Sequence, residues 1–292
     1  MATAIQTILN IKSGKYDNFF SKLYCDKKII EHRKRYINAA EKFIESFGKN
    51  EDISIYSSPG RIEIGGNHTD HQRGCVLAAS INLDTICVVS KNQSSRINLI
   101  SEDYNNISID INDLTMHTEE KHTSASLIRG IAAKFNDMKF NTGGFNAYMT
   151  SNIPTGAGLS SSASFEIAIG TMFNYLYNNG CIDNVKIAQI GQYAENIYFG
   201  KPCGLMDQIA SSVGSLLFID FENPNDPIVN QLNFDFENSG HTLCIVNTGS
   251  SHADLTKDYE SITSEMKCIA EEFGADTLRS VDEALFFNSI KN

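Results

Sequence analysis

The sequence predicts an α+β fold, and three observations carry that prediction. Short runs rich in β-branched residues crowd the early chain: "ISIYS", "VLAASI", "TICVVS", "RINLIS" and "NISIDI". After about residue 123 helical periodicity takes over, with a few strand-like runs between the helices. Strands early and helices late favour α+β over a doubly wound parallel sheet.

Element by element, Lys27–Phe47 places Ile29, Ile30, Tyr36, Ile37, Ala40, Phe43, Ile44 and Phe47 at helical spacing and closes on Gly48. It reads as a packing helix. "TSASLIRGIAAKF" reads as a helix and "GFNAYMTSNI" as a strand. Helices are then expected over Ser161–Tyr177, over Asp183–Phe199 (capped by Asp183, ended by Gly200), and briefly from near Leu205. "SLLFID" and "HTLCIVNT" read as buried strands, and Asp254–Phe273 as a long amphipathic helix. There is no internal repeat and no clear linker.

Bulk properties narrow the function. The chain has 292 residues, 41% hydrophobic and 20% charged, which is ordinary globular composition. It contains no apolar run long enough to cross a membrane. Its first twenty residues do not read as a signal peptide. A net charge of −11 opposes binding to nucleic acid or anionic lipid. Seven scattered cysteines without a C-x-x-C pair point to reduced thiols and a cytoplasmic protein. A small-molecule partner is the expectation.

Three stretches carry chemistry. In "SNIPTGAGLSSSASFEIAIG", residues 151–170, a strand leads through Gly156 and Gly158 to three serines and an apolar helix. Glycines let backbone approach a ligand, and a helix N-terminus offers unpaired N–H groups, so phosphate is the ligand this suits. A serine-rich helix cap is the plainer alternative. Walker A and Rossmann loops both fail, the first for want of a lysine and the second because Ser161 replaces the third glycine. "CGLMDQIAS", residues 203–211, places Asp207 at a helix start, as a cap or as a functional carboxylate. "PGRIEIGGNHTDHQRG", residues 59–74, is a metal site, a sugar site or a polar turn; Arg61 read alone is a surface arginine after proline. Glu195 alone is a solvated helical glutamate, and Tyr259 alone a core or boundary tyrosine.

Taken in order, these stretches resemble the GHMP small-molecule kinases, and in particular their galactokinase branch. P-x-G-x-G-L-S-S-S-A-S is similar to the phosphate loop, residues 59–74 to the sugar signature P-G-R-x-N-x-I-G-E-H-T-D-Y, and residues 203–211 to the catalytic-aspartate segment. Asn247 and Tyr259 follow at family-like spacing, and the matching positions span roughly residues 55–260. The resemblance implies a GHMP-kinase fold with a ribosomal-protein-S5-like N-terminal domain and the C-terminal domain largely missing from this chain. It implies a division into residues 1–50 (an extension with a helix), 51–240 (sugar- and ATP-binding domain) and 241–292 (the start of a truncated C-terminal region).

The activity implied is an ATP-dependent sugar-1-kinase converting galactose to galactose 1-phosphate. Asp207 is then the base and Arg61 its partner. Asn67, His68, Asp70, Gly204 and Tyr259 bind the sugar. Gly156, Gly158, Leu159, Ser160, Ser161 and Ser162 hold the ATP phosphates, and Ser162 with Glu195 binds Mg2+. His252 fits the pattern without an assignable role. Among the positions that depart from the family, its usual glutamate before H-T-D is Asn67 here, and its tyrosine after it is His71. A neutral Asn67 would tolerate a C6 carboxylate better than glutamate, so a C6-modified galactose such as galacturonate competes with galactose. A silent galactokinase-like sensor and a metal hydrolase built on His68, Asp70 and His71 are the other expectations to weigh.

Overall fold

The computed structural model describes residues 2–24, 28–49, 51–102, 104–234, 238–241, 243–246 and 256–289. Its strands are β1 (Ala2–Thr3), β2 (Asp52–Gly65), β3 (Cys75–Lys91), β4 (Arg96–Ser101), β5 (Tyr104–Asp110), β6 (Phe145–Ser151), β7 (Leu216–Asp220) and β8 (Ile228–Leu232). Its helices are α1 (Ala4–Lys12), α2 (Asp17–Leu23), α3 (Ile29–Phe47), α4 (Ser124–Asp137), α5 (Ser161–Tyr177), α6 (Asn184–Tyr193), α7 (Met206–Val213), α8 (Thr256–Glu272) and α9 (Glu283–Ser289). The expected α+β class is the one found. One mixed sheet runs β1-β2-β3-β6-β4-β5, with β7 bonded to β3 and β8 to β7. β4 and β6 run parallel, and the remaining pairs are antiparallel.

β3 organises the sheet because it is long enough to serve three neighbours. Its Cys75–Ala79 end pairs with β7, its Thr85–Lys91 end with β6, and β2 lies along its other edge. Alternate side chains enter different cores. Cys87 and Val89 join the larger core beneath α4 to α7, whereas Ile86 and Val88 join a second core beneath α1 and α3. A strand covered on both faces has no solvent side, and so "TICVVS" reads as an unbroken apolar run. α5 begins at Ser161 and ends at Tyr177, as its pattern predicts, and Asp183 caps α6 by accepting from the Lys186 N–H at 2.8 Å.

The strand boundaries differ from expectation in two places. "VLAASI" and "TICVVS" belong to one strand, and "ISIYS" continues through the proline into β2. The polar residues between those runs imitate turn punctuation, but Asp84 is only 2% exposed. Its carboxylate accepts hydrogen bonds from the Tyr24 hydroxyl, from Ser57 Oγ at 2.5 Å and from Arg35 Nη1 at 2.9 Å. Pro59 is tolerated because the β2–β3 register shifts between it and Arg61. Arg61 is therefore a strand residue, not part of a turn. The second difference is "HTLCIVNT". Residues 243–246 form no strand, and Leu243, Ile245 and Val246 are exposed. Apolar residues give a segment strand propensity, but a ladder needs a neighbour. The edge of β7 is already taken by β8.

Asp84 fastens the N-terminal helices to the sheet. Tyr24, one of its donors, also bonds the Tyr36 hydroxyl at 2.8 Å and stacks on His32 with 3.5 Å between ring centroids. Asp84→Ala would leave those donors and the Arg35 charge without their acceptor. It is expected to cost about 3 kcal/mol of stability, read as a lowered urea midpoint. An unmoved midpoint would show that the cluster does not hold the helices. No helix among the described residues is long and apolar enough to cross a membrane.

Candidate functional site

Three elements converge at one end of the sheet. β2 brings Arg61, the β6–α5 loop brings residues 152–160, and the first turn of α7 brings Asp207. The Arg61 fork grips the Asp207 carboxylate with both arms, Nε to Oδ1 at 2.6 Å and Nη2 to Oδ2 at 2.7 Å. Its remaining nitrogen, Nη1, donates to the Gly158 carbonyl at 2.6 Å, and Ser160 Oγ donates to Asp207 Oδ2. Burial alone would raise the Asp207 carboxyl. The Arg61 charge, with the Arg61 and Ser160 hydrogen bonds, outweighs it and holds the group below the usual carboxylate value. The carboxylate is thus kept ionised and aimed.

The glycines of the loop are required by its shape. Gly156 and Gly158 have φ of 72° and 71°, and Ser160 follows at 56°, so left-handed residues recur at every second position. Backbone that alternates in this way turns N–H groups toward a common concavity, a form that receives anions. Ser160 is the N-cap of α5, yet its side chain makes no capping bond. Its hydroxyl is committed to Asp207 instead, which argues against the simple helix-cap reading. Ser161 and Ser162 occupy the first turn of α5, where the helix dipole favours negative charge. Strand and loop touch through backbone: Arg61 N–H donates to the Leu159 carbonyl at 3.2 Å. A Cβ on Gly60 would lie 2.7 Å from that same oxygen. Ser164 Oγ reaches the Ser58 carbonyl at 2.7 Å and Thr85 Oγ1 at 2.9 Å, tying α5 to β2 and β3.

Asn67, His68 and Asp70 follow β2 in a tight turn closed by a 3-10 segment, Thr69–Gln72. Gly66, at φ 100°, could not carry a side chain, since a Cβ there would sit 2.5 Å from the Cys75 carbonyl oxygen. The Thr69 hydroxyl lies 2.7 Å from both the Gly66 and the Cys75 carbonyl oxygens, which closes the turn. Asp70 Oδ1 accepts from the His71 N–H at 3.0 Å. Its other oxygen packs on Gly204, where a Cβ would fall only 1.7 Å away. Asp70 and Asp207 are joined in this way by the short segment from Gly204 into α7. His68 is half-buried and Asn67 is exposed at the rim. Asn247, His252 and the side chain of Tyr259 lie outside the described residues.

Glu195 is not a solvated glutamate. It is 3% exposed and opens a π-helical turn, Ala194–Phe199, that ends α6 where an ordinary helix is expected. Its Oε1 accepts from Lys201 Nζ at 3.3 Å and its Oε2 from Gln208 Nε2 at 3.0 Å. Gln208 Nε2 also donates to Glu166 Oε2 at 3.0 Å. Burial, then the charge of Glu195, pushes the Glu166 carboxyl well above its usual value. Glu166 Oε1 and Gln208 Oε1 are buried without a hydrogen-bond partner among the described residues. Ser162 lies one turn before Glu166 on α5, on the same helix face. Hydroxyl, carboxylate and unpaired amide oxygens are the donors a hard cation takes, so these residues fit magnesium. Among the described residues no group of three or more His, Cys, Asp or Glu could hold a metal, which leaves the hydrolase reading without a ligand set. Glu166, Lys201 and Gln208 were not singled out from sequence. Only the adjacency of Gln208 to Asp207 could have drawn attention to one of them.

The family model described as GHMP kinases N terminal domain matches residues 126–215, and the galactokinase galactose-binding signature matches residues 41–91. A galactokinase of Clostridium tetani is 35% identical over 180 residues, covering 61% of this chain and 45% of that protein. The match therefore spans less than half the length of that relative. The crystal structure of Lactococcus lactis galactokinase complexed with galactose superposes with a TM-score of 0.63 at 24% identity, over 84% of this chain and 67% of that one. Methanococcus jannaschii mevalonate kinase superposes with a TM-score of 0.55 at 16% identity, over 73% and 70% of the two chains. These two likenesses speak for the fold.

Proposed function

From a chain that belongs to the GHMP kinases and carries the galactokinase signature, we propose a sugar-1-kinase that transfers the γ-phosphoryl group of ATP to the anomeric hydroxyl of galactose. The observation that carries this reading is the Arg61–Asp207 pair seated against the glycine-serine loop, with Gly158 and Ser160 as direct partners. Phosphoryl transfer asks mainly for positioning and for stabilisation of charge, and the site is built for both. Asp207 accepts the proton of the attacking hydroxyl. Arg61 holds that carboxylate ionised and turns it toward the loop. Gly156, Gly158, Leu159, Ser160, Ser161 and Ser162 cradle the phosphates on backbone N–H groups and hydroxyls. Asn67, His68, Asp70, Gly204 and Tyr259 surround the sugar. Ser162 and Glu195 would hold magnesium, which when bound offsets the charge of the phosphate oxygens.

On this reading residues 51–240 form the sugar- and nucleotide-binding unit and residues 1–50 an extension packed behind it. A galactose modified at C6 is the competing substrate, because Asn67 removes an acidic group from the rim. The test is sugar-dependent ADP release by the purified protein with galactose and a panel of other hexoses. Turnover with galactose is expected. Sugar binding without turnover on any hexose would replace the kinase by a sensor.

A further inference from the structure

β2 carries a second acidic side chain into the same site. From Arg61 to Glu63 the β2–β3 register is unbroken, with Arg61 opposite Ser80, Ile62 opposite Ala79 and Glu63 opposite Ala78. The irregularities fall before Arg61 and after Glu63. Residues two apart on a strand share a face, so Glu63 projects from the same face as Arg61. It is half-buried, and the charges of Arg61, Asp70, His68 and Asp207 act on it. Burial raises its carboxyl above the usual value; Arg61 opposes that rise, while Asp70 and Asp207 add to it. The Arg61 fork is already committed to Asp207 and Gly158, and among the described residues Glu63 makes no ion pair.

We infer that Glu63 is a specificity-determining residue, whose carboxylate accepts a hydrogen bond from a hydroxyl of a neutral hexose and repels a hexose that is itself anionic. The inference rests on the sugar-kinase reading and narrows it. Glu63 shares the strand face of Arg61, which grips Asp207, and the charges of Asp207, Glu63 and Asp70 all bear on that arginine. A sugar carboxylate would be a fourth against a single guanidinium already paired with Asp207, and an excess of like charge is a strong device for rejecting a ligand. A neutral polyol, by contrast, offers hydroxyl donors to Glu63, whose carboxylate, unlike that of Asp207, has no ion-pair partner among the described residues. An acidic group, absent at Asn67, is thus supplied from β2 at Glu63. The substrate class selected is a neutral hexose, not a uronate.

The test compares galactose and galacturonate binding by calorimetry, together with kcat and KM, in the wild type and in Glu63→Gln. Glutamine keeps the length and an acceptor oxygen while removing the charge. The wild type should bind galactose more tightly. In Glu63→Gln the ratio of galacturonate Kd to galactose Kd should fall about tenfold, with galactose KM rising about threefold and kcat within about twofold of wild type. Glu63→Asn serves as a second variant, and a thermal melt identifies which of the two remains folded. A ratio unmoved in a folded variant, or a wild type that prefers galacturonate, overturns the role of Glu63. Sugar binding with the expected ratio change but no turnover overturns the kinase reading and leaves Glu63 as a selector. Binding of neither sugar overturns both.

Discussion

Asp207→Asn is expected to lower galactose phosphorylation by about 10³-fold while leaving ATP affinity within about threefold of wild type. The size of the effect comes from two losses at once. Asparagine cannot accept the proton of the attacking hydroxyl, and its amide cannot take both arms of the Arg61 fork, one of its two atoms being a donor. Arg61 would lose its bidentate partner and, with it, its fixed position beside the Gly158 carbonyl. Nucleotide affinity should survive because the phosphate loop contributes through the backbone geometry of Gly156, Gly158 and Ser160, and asparagine keeps one oxygen that can accept from Ser160 Oγ. Single-turnover phosphorylation and ATP titration separate the two effects. A variant that turns over at near the wild-type rate would remove Asp207 from the reaction. Since Asp207 is held below the usual carboxylate value, the wild-type rate should not fall on its account until well below about pH 5.

Gly204→Ala is expected to raise the KM for galactose about a hundredfold and to leave that for ATP within about twofold. A Cβ at this position would lie 1.7 Å from Asp70 Oδ2 and 2.5 Å from its carboxyl carbon. No contact of that kind exists in a real molecule, so the Asp70 side chain or the segment leading into α7 must move. Asp70 has little room, being fixed by the His71 N–H within a turn that Thr69 closes. Displacement by an ångström at a positioned group is enough for a loss of this size. Steady-state kinetics with each substrate varied in turn would show it. An unchanged galactose KM would mean that Asp70 does not contact the sugar.

The parts of this molecule that were legible in sequence are those whose cause is local. Gly48 and Asp183 mark helix ends because capping and chain reversal act within a few residues. Arg61, Asp70, Gly156 to Ser162 and Asp207 stood out because each sits in a short contiguous pattern. What was missed depends on partners distant in the chain. Nothing near Glu166 shows that an amide 42 residues away would be wedged against it. Nothing near Asp84 shows that a tyrosine 60 residues upstream would make it a buried acceptor inside a strand. The alternation of Arg61 and Glu63 was concealed by treating the signature as a loop. Once β2 is seen to run through it, the pairing of the two side chains on one face follows. "HTLCIVNT" failed for the converse reason, since its composition favours a strand and no described strand lies beside it.

The Asp84 cluster has a mechanical meaning for the reaction. Asp84 pairs across the sheet with Pro59, two residues before Arg61, and takes its hydrogen bonds from Tyr24 and Arg35 on the rear side. The opening helices, which contribute no residue to the Arg61–Asp207 pair, thereby act as a backstop for the strand that aims the guanidinium. Damage to that backstop would reach the chemistry as poor aim, with every reacting group still present.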